Sequence, residues 1–261
     1  MSKNEKIVVF DLDETLGNFV ELSMFCDAIS SYNKKDISDI EFFKIMDIFP
    51  EFLRPNIISI LKYLMTKRKG GKCSKIMIYT NNRGPKEWCE RLAKYFDKKT
   101  GGKTFNQIIA AFKVRGEIIE IGRTTNQKCV SDLIKCAHLP ADTEICFLDD
   151  QYHPLMENSK VFYINVKPYI FNLSYKEMAE RYLNQETTKN NTEFVDYIHN
   201  YMSKFNFTVI EKTQEDNDID KIISKKLMVY LEDFFNKNKS GQTRRHHRRK
   251  IKNKNTTKRS K

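Results

Sequence analysis

Residues 5–16 read EKIVVFDLDETL, an apolar run that ends in two aspartates, Asp11 and Asp13, one residue apart. A buried strand delivers its last side chains to the carboxyl edge of a sheet, where open α/β folds gather ligands and reacting groups. Two carboxylates held there can divide the work of phosphoryl transfer. Asp11 is placed to attack phosphorus as a covalent nucleophile and to help hold a hard divalent cation, which prefers oxygen ligands. Asp13 is placed to protonate the leaving oxygen and then to activate water.

Two further apolar runs, KIMIY at 75–79 and EICFL at 144–148, end in the same way, at Thr80-Asn81-Asn82 and at Asp149-Asp150. Continuous apolar runs of this length, without alternation, fit parallel strands buried on both faces. Three such strands would bring three polar clusters to one edge. Thr80 can offer its hydroxyl to a phosphate oxygen, with Asn81 and the neighbouring backbone amides beside it. Asp149 and Asp150 add carboxylates for a cation: one would bind it directly, the other would orient a bound water or pair with a lysine. Lys128, before the third strand, can reach both a phosphate and the attacking carboxylate, and Lys113 is a rival for that place.

In this order the four segments resemble the haloacid dehalogenase superfamily of aspartate-nucleophile phosphotransferases: DLDETL with its Thr15 is similar to the first motif, YTNN to the second, Lys128 to the third and LDD to the fourth. The resemblance covers about residues 5–170. It implies Asp11 as nucleophile, Asp13 as acid and base, Thr80, Asn81 and Lys128 as phosphate ligands, and Mg2+ held by a set drawn from Asp11, Asp13, Asp149 and Asp150. DLDETL followed by FLRP at 52–55 resembles more narrowly the FCP/SCP group, the NLI-interacting-factor-like phosphatases. That likeness implies a phosphoserine protein substrate, as in the C-terminal domain of RNA polymerase II. Asn81-Asn82 departs from that group and is more similar to small-molecule and polynucleotide phosphatases of the superfamily. The fold implied is a Rossmann-like haloacid dehalogenase α/β fold with a central, mostly parallel sheet, a small cap over 18–50 or none, and a helical C-terminal extension.

The elements that must position these residues follow from hydrophobic periodicity. Helices are expected at about 18–32, 38–49, Pro55–Met65, from Gly84-Pro85 through Phe96, and 125–137; residues 104–122 hold a strand and a hairpin, and VFYIN at 161–165 is a further strand. Beyond Asn172 come amphipathic helices at about 174–186, 192–206 and 219–236, the last preceded by the acidic linker EKTQEDND. The expected division is a phosphatase domain at 1–172, a helical extension at 173–236 and a basic tail at 237–261.

The net charge of +12 belongs to that tail, because residues 237–261 hold twelve Lys and Arg and no acid, and the other 34 basic residues balance the 34 acidic ones. Such a segment has too little apolar content to fold alone and is expected to act as a flexible arm toward nucleic acid or an acidic protein, or as a nuclear-import signal. The six cysteines form no C-x-x-C pair and are expected to be reduced and structural, and a zinc site is not expected. No apolar run is long enough to cross a bilayer, and the polar start MSKNEK is unlike a secretory signal. The expectation is a soluble intracellular protein, cytoplasmic or nuclear; the Lys- and Asn-rich composition is compatible with an AT-rich genome, including that of a large DNA virus.

Overall fold

The computed structural model describes residues 5–185, 191–205, 209–236 and 249–250. Five parallel strands, β1 (Lys6–Phe10), β2 (Lys75–Tyr79), β3 (Gln107–Ile109), β6 (Glu144–Asp149) and β7 (Val161–Asn165), form a sheet in the order β3-β2-β1-β6-β7. A two-residue strand, β8 (Arg249–Lys250), runs parallel to β7 at its outer edge, and a separate antiparallel hairpin pairs β4 (Lys113–Val114) with β5 (Glu117–Ile118). Among the described residues eight α-helices accompany them: α1 (Val20–Asn33), α2 (Asp39–Ile48), α3 (Ile57–Lys69), α4 (Lys86–Thr100), α5 (Val130–Ala137), α6 (Tyr175–Gln185), α7 (Thr192–Met202) and α8 (Gln214–Asn236). The architecture is α/β and Rossmann-like.

The strand order explains where a site must lie. From β1 the chain moves outward through β2 to β3, then returns across β1 to β6 and moves outward on the other side. The sequence therefore reverses direction between β1 and β6. Connections leave in opposite senses there, which opens a crevice at the carboxyl ends of the two strands.

Alternate residues of each strand serve the two faces, as the pleat requires. Val8, Phe10, Ile76, Ile78, Cys146, Leu148 and Ile164 join a large apolar cluster with α1–α4 and α6–α8, while Ile7, Val9, Met77, Tyr79, Ile145 and Phe147 meet the α5 residues Leu133 and Cys136 on the other face. Each such side chain contributes about 1.5–3 kcal/mol when taken fully out of water. The first two helices, with Leu22, Phe25, Phe42 and Met46 in the large cluster, are part of this layer rather than a separate cap. Met178, Phe194, Ile198, Leu227 and Leu231 of α6–α8 share the same cluster, so the packing is continuous across Asn172. All six cysteines are buried and free. No helix among the described residues is long and apolar enough to cross a membrane.

Several element boundaries differ from the sequence expectation for local reasons. Helix α3 starts at Ile57 rather than Pro55, because Asn56 before it takes a left-handed backbone conformation. Helix α5 starts at Val130 rather than 125, since the Thr124 amide and hydroxyl both donate to the Asp132 carboxylate and hold the preceding segment as a loop. Helix α8 starts at Gln214, so half of the expected acidic linker is its first turn. There Thr213 and Asp216 exchange hydrogen bonds between side chain and backbone at 3.1–3.2 Å, and Glu215 and Asp216 lie at the positive end of the helix dipole. The basic tail expected at 237–261 lies outside the described residues apart from Arg249–Lys250.

Candidate active site

Register brings the acids together. Phe10 of β1 pairs with Leu148 of β6, so the next residues, Asp11 and Asp149, emerge side by side at the crevice, and the Asp11 amide donates to the Leu148 carbonyl at 2.8 Å. Lys128, just ahead of α5, reaches between them, donating to Asp149 Oδ2 at 2.7 Å and to Asp11 Oδ1. Its side chain is 2% exposed and that of Asp149 is fully buried. Burial alone would discharge the ammonium, but the two carboxylates outweigh it and hold the Lys128 pKa above its ordinary value.

The two aspartates are not equivalent. Asp149 also accepts from the Gln151 amide at 2.8 Å and faces His153 Nε2 at 3.2 Å. Its pKa is lowered: burial works against the charge, yet Lys128 and His153 together prevail. Asp11 has fewer donors. Burial, and then repulsion from Asp149, raise its pKa despite the shared lysine.

Asp150 exchanges hydrogen bonds with Thr15, whose hydroxyl donates to Asp150 Oδ1 while accepting from the Asp150 amide, each at 3.1 Å. Burial and the charges of Asp11 and Asp149 push Asp150 up to about 7. Oxygens of Asp11, Asp149 and Asp150 all lie within 4.8 Å of one another, forming a cluster that could hold a metal ion. One ammonium cannot balance these three carboxylates, and the raised pKa values of Asp11 and Asp150 reflect burial together with this uncompensated charge. An all-oxygen acidic cluster of this kind suits a hard divalent cation.

The loop after β1 is fixed from behind. Arg54, buried beside α3, donates to the carbonyls of Thr15 at 2.6 Å, Glu14 at 2.6 Å and Lys167 at 2.9 Å, tying the loops after β1 and β7 together. Glu14 has a positive φ of 57°, unusual for a residue with a side chain, and the Arg54 bonds to its own and the next carbonyl help hold it there. Gly17 is required sterically, since a Cβ there would enter the Phe52 carbonyl oxygen and the Phe19 ring.

The other expected residues fall as follows. Asp13 is not in the three-aspartate cluster; its Oδ2 accepts from Asn82 Nδ2 at 2.6 Å, and burial pushes it up to about 6. Thr80 is buried, with its hydroxyl accepting the Asn82 amide at 3.0 Å. Asn81 turns its side-chain oxygen to Arg123 Nη2 at 2.8 Å, so that oxygen supports the loop rather than facing the aspartates. Lys113 is exposed on the β4–β5 hairpin, stacked over Phe112, and Lys128 holds the place for which the two were rivals. Sequence reasoning missed the roles of Arg54, Asn82, Arg123 and His153. Of these, only the FLRP segment and the second asparagine stood out by type.

No protein-family model matches the chain, and no curated protein or solved structure matches it either.

Proposed function

We propose that this protein is a Mg2+-dependent phosphoric monoester hydrolase working through an aspartyl-phosphate on Asp11, with phosphoserine in a polypeptide as its substrate. The observation that carries the reading is the meeting of Asp11, Lys128, Asp149 and Asp150 at the reversal point of a parallel sheet. The motif resemblance of DLDETL, YTNN, Lys128 and LDD supports it.

Asp11, Asp149 and Asp150 would hold the cation, which when bound offsets their charge and that of the entering phosphate. In the first step an Asp11 oxygen bonds to phosphorus, the bond from phosphorus to the leaving oxygen breaks, and Asp13 gives its proton to that oxygen. Asp13, pushed up to about 6 by burial, is suited to carry a proton near neutral pH. Lys128 turns part of its charge from Asp11 to the phosphate oxygens as the carboxylate becomes an ester. In the second step water attacks phosphorus, its proton passes to Asp13, and the bond to Asp11 breaks with the electron pair returning to the carboxylate. Asp149, held by Lys128, Gln151 and His153, and Asp150, held by Thr15, keep their places throughout.

A polypeptide substrate also fits the apolar side chains exposed on segments that leave the sheet at this edge: Tyr152 and Leu155 after β6 and Ile170 after β7. A 3'-phosphorylated polynucleotide is the second reading, favoured by Asn81-Asn82 and by the twelve Lys and Arg of 237–261. A phosphatase panel with and without Mg2+, using Asp11→Asn as control, tests both. Mg2+-dependent release from a phosphoserine heptad peptide is expected. Release only from the 3'-phosphorylated oligonucleotide would select the second reading, and Asp11-independent or absent release would point to a non-catalytic scaffold.

A further inference from the structure

We infer that Asn82 is the positioning residue for the general acid: its side-chain amide holds Asp13 Oδ2 so that Oδ1 is the oxygen that carries the proton to the leaving group. The inference rests on the phosphatase reading above. Lys128 is committed to Asp11 and Asp149, which leaves Asp13 to another donor. Asn82 Nδ2 provides it at 2.6 Å, while Asp13 Oδ1 is buried and has no hydrogen-bond partner. A buried carboxylate oxygen without a donor is costly and calls for a physical reason, and a catalytic role is the one that fits its place beside Asp11.

The orientation of the amide is set by its surroundings. Asn82 Oδ1 accepts from the Gly84 amide at 2.8 Å, so the NH2 group must face Asp13, and the Asn82 backbone amide is tied to Thr80 Oγ1 at 3.0 Å. Arg123 clamps the same loop by donating to the Thr80 carbonyl at 3.1 Å and to the Asn81 side chain at 2.8 Å. The two asparagines thus face different partners: Asn81 supports the loop and Asn82 reaches the acid. Because Oδ2 already accepts a hydrogen bond, a proton on Asp13 resides on Oδ1. In the first step it moves from Oδ1 to the leaving oxygen as the ester bond breaks, and in the second Oδ1 takes a proton from the attacking water.

The test uses leaving groups of different basicity. An aryl phosphate such as p-nitrophenyl phosphate departs with little protonation, whereas a phosphoserine peptide or a 3'-phosphorylated oligonucleotide leaves as an alcohol and needs the acid. The value of kcat/KM reports the step in which the leaving group departs. For Asn82→Ser, which keeps an oxygen able to accept the Gly84 amide but is too short to reach Asp13, kcat/KM is expected to fall about 100-fold on the alkyl ester and less than about threefold on the aryl ester. Asn82→Ala should give the same split, and retained aryl turnover certifies that the variant is folded. Equal losses on both esters, or no loss on either, would overturn the role of Asn82 while leaving the phosphatase reading intact. Wild-type protein without Asp11-dependent turnover of any ester would overturn that reading and the inference with it.

Discussion

Strand β1 changes character within a single residue. From Ile7 to Phe10 every side chain is essentially without solvent contact and belongs to one of the two apolar clusters, whereas from Asp11 to Thr15 the chain buries carboxylates, takes a left-handed turn at Glu14 and leaves Asp13 Oδ1 without a partner. The interior obeys the rules that stabilise a fold. The edge breaks them locally, and Lys128, Arg54 and Asn82 compensate only in part. Charge concentrated beyond its compensation, on a rigid scaffold and at a topological reversal, is a signature of a site kept for a ligand rather than for stability.

If the contrast is real, substitutions at the edge and in the interior should separate activity from stability. The largest effect is expected for Asp11→Asn, which should lower phosphate release by more than about 1000-fold while the protein stays folded by circular dichroism. Loss of structure comparable to a core deletion would blur the distinction. Lys128→Met should lose activity and also stability, by about 3–5 kcal/mol in urea unfolding, because it leaves Asp11 and Asp149 as uncompensated buried charges. A loss under 1 kcal/mol, roughly that of an exposed pair, would mean that the ammonium is not holding the site together.

In the interior, Leu61→Ala of α3 should cost about 2–5 kcal/mol yet leave turnover per folded molecule within about twofold. The pH dependence of stability sharpens the edge side of the comparison. Asp150 is pushed up to about 7 and Asp13 to about 6, against an ordinary value of 3.8. Between 3.8 and those values the folded state holds protons that the unfolded state has released, so stability falls as pH rises through that window. The thermal midpoint of metal-free protein should therefore rise as pH is lowered from about 8 to about 6, and added Mg2+ should raise it more at the higher pH. A flat profile would argue that the acids are already neutralised. The smallest effect belongs to Lys113→Ala, expected to change stability by no more than about 0.5 kcal/mol and activity not at all.

The same contrast governs what could be read from the sequence. Strands β1, β2, β6 and β7 were legible because four apolar residues in a row have few other uses in a chain of this composition, and in the first three the run meets a polar cluster. The five-residue runs KIVVF, KIMIY, EICFL and VFYIN fall within the observed strands, the third of which extends one residue further to Asp149. Strand β3 has only three residues and was legible just as part of a broader strand-and-hairpin segment. Of the site, Asp11, Asp149, Asp150 and Lys128 were legible, since acids at strand ends and a lysine before a strand carry position in their spacing. Roles set by long-range contact were not. Arg54 acts on carbonyls about 40 residues before it and more than 100 after it, and Asn82 reaches Asp13 across 69 residues. Asn81, chosen for the phosphate, differs from Asn82 only in which way the loop turns, which Arg123 helps decide. Helix α8 began earlier than expected because acids that read as a linker also stabilise a helix start.

The most direct measurement is the location of the covalent phosphate. Protein mixed with a turned-over phosphate ester and Mg2+, quenched in acid and digested, should carry phosphate on the Asp11 peptide by mass spectrometry, removable by hydroxylamine and absent from Asp11→Asn. Turnover with no acyl phosphate at any time point, or phosphate on another residue, would contradict the assignment of Asp11 as nucleophile.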